Sequence, residues 1–195
     1  TAGVTLIMLG AFGLIARQVG DIALAFTCLV IAASVAGFFV VNWPRGKIFL
    51  GDGGAYFLGF ALAWIAVLLP ERNASVSPWS SLLICIYPIA EVVMSFVRKS
   101  LRPGSHPSQP DAVHLHMLAN RRWAKKLWPN ASLTTQNGLT APLLWLYTLL
   151  PCSAAVFFYT SFWATLGALV VSFVFYLLMY HKLAFFRWLP RGKQD

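Results

Sequence analysis

Two short stretches of this sequence carry residue types suited to phosphate chemistry. The first, residues 42–54, reads NWPRGKIFLGDGG. Asp52 stands between Gly51 and the pair Gly53–Gly54. Glycine lets a chain turn sharply and come close to a ligand. A helix starting near Gly53 or Gly54 would offer free backbone N–H groups to an anion. A carboxylate beside such an anion is a natural Mg²⁺ ligand, because Mg²⁺ takes one or two carboxylates with phosphate oxygens and water. Asp52 as a plain helix cap is the competing role, and the two are compatible. Arg45 and Lys47 either neutralise a diphosphate or follow the basic bias of one membrane face. The second stretch, residues 110–116, reads PDAVHLH. His114 and His116 share a face if the chain is extended, but diverge by roughly 200° on a helix. They are either a metal or phosphate contact or an ordinary surface pair. Asp111 is placed to cap a following helix, and His106 and His181 are read as incidental. A third residue, Glu91, sits inside an apolar run. Acids within membrane spans are costly and often functional. Either Arg98 reaches it from the membrane edge or it makes a polar contact between helices.

These residues must be positioned by a chain that is 58% hydrophobic and 11% charged over 195 residues, with a mean hydropathy of +0.69. A soluble domain carries about 25% charged residues. Six apolar runs, 1–16, 22–41, 53–70, 79–97, 139–159 and 162–180, approach the roughly 20 residues of a membrane span. The expected fold is an all-α polytopic membrane helix bundle of about six transmembrane helices. It forms a single membrane domain over 1–195, with 98–138 as its long loop. Cys28, Cys85 and Cys152 fall inside apolar runs without metal-type spacing and are read as packing residues.

If six spans alternate, thirteen of the fifteen basic residues fall in 42–52, 98–138 and 181–195, leaving Arg17 and Arg72 opposite. Positive charge collects on the cytoplasmic side. Topology accounts for this basicity, and a nucleic-acid partner is not expected. The loop 98–138 begins irregular, with Pro103, Gly104, Pro107 and Pro110, and 112–127 has the composition of a helix. Asp52 and the His pair then share the cytoplasmic face.

The run "NWPRGKIFLGDGGAYFLGF" followed by "PDAVHLHML" resembles the polyprenyl-phosphate N-acetylhexosamine-1-phosphate transferases, glycosyltransferase family 4. The resemblance implies transfer of an aminosugar 1-phosphate from a UDP-N-acetylaminosugar to polyprenyl (undecaprenyl) phosphate, with Mg²⁺, at the cytoplasmic face of the inner membrane. UMP leaves, and the product feeds cell-envelope polysaccharide synthesis. It implies Asp52 as the metal-binding aspartate, and His114 and His116 as the histidine motif at the nucleotide sugar. It also implies Asn42 near the diphosphate, and Lys47, Gly53 and Gly54 join it as candidate substrate-binding residues from the reading of their loop. The Gly-Asp-Gly-Gly run and two histidines instead of three are closer to the O-antigen and enterobacterial-antigen branch than to the peptidoglycan branch. The family also carries an adjacent acid pair upstream, whereas the six acids here are scattered. The chain is therefore read as the C-terminal portion of such an enzyme, with little activity expected of it alone. Membrane lipid is an expected partner, and self-association as a homodimer is left open.

Two other classes compete. Glu91 and Pro88 within one span would suit a small transporter. The absence of an acid pair would suit an inactive membrane scaffold.

Overall fold

A computed structural model describes residues 1–100 and 114–184, and the described residues form helices without strands. Residues 101–113 of the expected 98–138 loop, with His106, Asp111 and the first two residues of the helix expected over 112–127, lie outside them, while 98–100 belong to the helix before it. Helix α1 (Ala2–Gln18) turns at Gly20, whose φ of +83° favours glycine, into α2 (Ile22–Asn42). Asp21 caps α2 by accepting from the Leu24 N–H at 3.1 Å. Helix α2 stops before Trp43, held extended at φ −91° and ψ 139°, as suits a residue preceding proline. Then come α3 (Gly51–Arg72), α4 (Pro78–Ile84), α5 (Ile86–Ser100), α6 (Leu115–Ala119), a π-helical turn (Asn120–Ala124), α7 (Lys125–Leu127), α8 (Leu133–Phe158) and α9 (Phe162–Ala184).

Among the described residues, four helices, α2, α3, most of α8, and α9, are long and apolar enough to cross a membrane. Their outward residues are large and apolar, among them Phe26, Leu29, Phe60, Trp64, Val171 and Leu178, as a lipid-facing surface requires. The expected fourth span is broken. Helices α4 and α5 meet at 72°, and Pro88 explains the break: it has no N–H for the Ile84 carbonyl and its ring crowds that group. The Cys152 thiol donates to that carbonyl instead, at 3.7 Å across the core.

The pair α4–α5 still crosses once. At its start the Ser77 N–H donates to the Tyr159 carbonyl at 2.7 Å and the Ser77 hydroxyl pairs with Thr165 at 2.9 Å. At its end Arg98 bonds the Tyr180 hydroxyl. Arg72 and Asp21 form an ion pair at 3.0 Å on the same side as Ser77. These contacts place the two ends of α4–α5 at opposite ends of the bundle; among the described residues four long helices and one broken span are apolar enough to cross, and α1 is a shorter apolar helix, which together make the expected all-α membrane bundle. Helix α1 is a shorter apolar helix of seventeen residues, about 25 Å long. It lies inside the bundle, with Met8, Leu9, Phe12 and Ile15 at most 1% exposed. A sequence window marks a helix as apolar; whether lipid or protein surrounds it depends on its neighbours.

Candidate functional site

The loop 42–50 is folded on itself and docked on α8. The Asn42 side-chain oxygen accepts from the Ile48 N–H at 3.3 Å, and its carbonyl accepts from Gly46 at 2.6 Å. Gly46 turns the loop with φ +60°. The Trp43 indole N–H donates to the Gly138 carbonyl at 3.1 Å. Its ring stacks on Phe39 and meets Trp145 edge-on at 5.2 Å. Asn42 is therefore a loop-closing residue, while Arg45 and Lys47 stand exposed.

Helix α3 begins at Gly51, two residues before the expected start, and Gly51 enters it with φ +69°. Asp52 is consequently in the first helical turn, exposed, and the capping position belongs to Leu50. This corrects the capping alternative: Asp52 lies inside the helix. Gly53 and Gly54 fall in the same turn. A side chain at Gly53 would meet nothing within 4 Å, whereas Gly54 is covered by Leu50 at 2.8 Å.

The histidines converge because only one of them is helical. His114 is extended (φ −72°, ψ 153°) and precedes α6, while His116 lies in its first turn. Their rings stack at 5.8 Å with an interplanar angle of 8°. Glu91, reaching from α5, holds this junction. Its Oε2 is 3.0 Å from His114 Nδ1, and its Oε1 accepts from the Leu115 N–H at 3.1 Å. The polar contact between helices is thus the role Glu91 takes, and Arg98 turns to Tyr180. Loss of hydration against the surrounding chain lowers the His116 pKa from its ordinary 6.5; the nearby Glu91 charge opposes this and His114 adds to it.

The helix expected over 112–127 forms from Leu115 to Leu127 with a π turn in its middle. Within that turn Asn120 donates to Asn137 Oδ1 at 2.7 Å. Arg121, Arg122, Lys125 and Lys126 point outward. Gln136 donates to the carbonyls of Trp128 and Ala131 at 3.0 and 3.1 Å. The first turns of α8, around Gln136–Gly138, therefore carry the Trp43 loop and the histidine-bearing helix together. The structure joins His114, His116 and Glu91. It does not gather Asp52 with them: among the described residues no three of His, Cys, Asp and Glu are placed to hold a metal. Sequence reasoning missed Trp43, Gly138 and Asn120 as the residues that dock the two loops. Only the Trp-Pro step next to Asn42 hinted at the first.

Residues 1–70 match the model of glycosyl transferase family 4. Over that stretch the chain is similar to this family. The match takes in Asn42, Lys47, Asp52, Gly53 and Gly54; His114 and His116 lie beyond it. Among named relatives, the undecaprenyl-phosphate alpha-N-acetylglucosaminyl 1-phosphate transferase of Yersinia pestis is 31% identical over 124 residues, covering 61% of this chain and 34% of the relative. The protein of that name from Escherichia coli K12 is 30% identical with the same coverage. The one from Haemophilus influenzae is 24% identical over 203 residues, covering 98% of this chain and 54% of the relative. The chain thus spans about a third to a half of the length of these relatives. No solved structure matches it.

Proposed function

We propose that this chain forms part of a phosphoglycosyl transferase that moves an N-acetylaminosugar 1-phosphate from a UDP-sugar to undecaprenyl phosphate, releasing UMP. The observation that carries the reading is the docking of both candidate loops on the first turns of α8, at the basic face of the bundle. Arg45, Lys47, Arg121, Arg122, Lys125 and Lys126 are exposed there and give the field a diphosphate needs. The thirteen-to-two division of basic residues supports a cytoplasmic orientation in an inner membrane. The names of the relatives support the substrate pair and a place in envelope polysaccharide synthesis.

Asp52 offers one exposed carboxylate beside the open space at Gly53. That donor set fits Mg²⁺ bound chiefly by substrate phosphates and water. When bound, the ion would neutralise charge on the transferring phosphoryl group. Asp52 would hold it, His114 and His116 would meet the nucleotide sugar, and Asn42 would keep the Lys47 loop closed over the diphosphate. The test is UMP release by the full-length protein with UDP-N-acetylglucosamine, undecaprenyl phosphate and Mg²⁺. Release that depends on Mg²⁺ and is lost in Asp52→Asn is expected. Release that survives Asp52→Asn would remove the metal role. No release from any UDP-aminosugar, in protein shown to be folded, would sink the transferase reading.

The broken span with Glu91 inside it favours one rival, a transporter. Against it, the Glu91 carboxylate is engaged by His114 and Leu115. Solute uptake into vesicles lost in Glu91→Gln but kept in Asp52→Asn would decide for transport.

A further inference from the structure

We propose that Glu91 is a positioning residue that fixes the tautomer of His114, holding its proton on Nδ1 and presenting Nε2 as the free, basic nitrogen. Its catalytic consequence rests on the transferase reading; the tautomer itself does not. The geometry is two-pronged. One carboxylate oxygen stands 3.0 Å from His114 Nδ1 and the other accepts the Leu115 N–H at 3.1 Å. An ionised carboxylate only accepts hydrogen bonds, so the nitrogen facing it must donate. A neutral imidazole carries one N–H, which leaves Nε2 bare. The second prong holds the carboxylate in place, because the Leu115 N–H is one of the orphan donors at the start of α6. Leu115 is fully buried, so that donor has no water to turn to.

Three features suit a device that orients a ring. Glu91 is 13% exposed and His114 32%, so the buried partner is the carboxylate and the histidine keeps an open edge. His116 stacks on the His114 ring and limits its rotation. Tyr87, one turn back on α5, also reaches Glu91, which steadies the acid within the apolar bundle. The acid comes from the broken span and the histidine from the long basic loop, so the pair also ties the loop to the bundle at the point where the nucleotide sugar is proposed to sit. There, bare Nε2 accepts a proton or a hydrogen bond from the reacting groups. Glu91 supports the imidazolium that results, as carboxylates do for histidines elsewhere.

Glu91→Gln discriminates sharply. Its amide has one oxygen and one NH₂. The Leu115 N–H claims the oxygen, so the NH₂ faces His114 Nδ1, which must then accept. The proton moves to Nε2 and the tautomer inverts. The measurement is ¹⁵N NMR of histidine-labelled protein in nanodiscs at about pH 8, above the ordinary histidine pKa of about 6.5. The chain has four histidines, and His114→Gln assigns the signal. The expected wild-type spectrum shows a pyridine-type His114 Nε2, and Glu91→Gln exchanges it for a pyridine-type Nδ1. A bare Nδ1 in the wild type, or an unchanged pattern in folded Glu91→Gln, overturns the proposal. If the variant does not fold, the wild-type spectrum still decides. In the full-length protein, Glu91→Gln should lower kcat for UMP release by about 10- to 100-fold with KM for the UDP-sugar little changed. An inverted tautomer with unchanged kcat would overturn the catalytic use of Nε2. A wild type that releases no UMP would fail the transferase reading and leave the spectrum to judge the tautomer.

Discussion

Gly138→Ala should loosen the Trp43 loop from the bundle. A Cβ at that position would stand 2.7 Å from the Pro44 carbonyl oxygen and 3.3 Å from its Cβ. The first approach is short of ordinary contact by roughly 0.7 Å. A backbone carbonyl cannot swing aside like a side chain, so the loop must retreat as a body. A retreat of that size stretches the 3.1 Å bond from the Trp43 indole to the Gly138 carbonyl beyond hydrogen-bonding range. The lost bond costs about 0.5–1.5 kcal/mol and the overpacking about 1–3 kcal/mol. Alanine returns about 1 kcal/mol over glycine in a helix interior. The net is about 1–3 kcal/mol, concentrated in one loop. The assay is trypsin cleavage after Arg45 and Lys47, both exposed, at low protease, where opening and reclosing are fast relative to cleavage and the rate tracks the open population. At tenfold per 1.4 kcal/mol, cleavage should quicken by about 5- to 150-fold. An unchanged rate in folded protein would refute the claim that Gly138 is a docking surface. It would also remove the link between the two loops on which the site rests.

The remaining predictions probe the break in the fourth span and the histidine pair. Cys152→Ala removes the thiol that donates to the Ile84 carbonyl left by Pro88, so it should cost about 1–3 kcal/mol. Cys152→Ser should cost less, and thermal unfolding in micelles ranks the two; equal midpoints would remove the role given to the thiol. Poor hydration disfavours the charged form of His116, so its proton should leave below the ordinary pKa of 6.5. The folded chain then binds fewer protons than the unfolded one, and the penalty has a sign. Stability is unaffected above 6.5 and declines as pH falls toward the folded pKa. A His116 NMR titration with its midpoint above 6.5 would contradict this.

The sequence by itself determined that the chain is a helical membrane protein, that its basic residues gather in alternate loops, and that two stretches, 42–54 and 110–116, carry residue types suited to phosphate chemistry. These follow from hydropathy, from the bias of basic residues and from local spacing, all properties of short windows. Tertiary structure decided the rest. Whether α1 meets lipid or protein depends on its neighbours, not on its own apolarity. The bend at Pro88 is written in the sequence, but the thiol that satisfies the freed Ile84 carbonyl lies 68 residues from it. The resemblance implies Asn42 near the diphosphate, and the folded chain adds that its side chain closes its own loop. The pairing of Glu91 with His114 spans 23 residues and joins a span to a loop, so no period or motif could reveal it. Local windows report what a residue is and which face it prefers. Which partner satisfies a buried polar group is settled only when the helices pack, because that partner can come from anywhere in the chain.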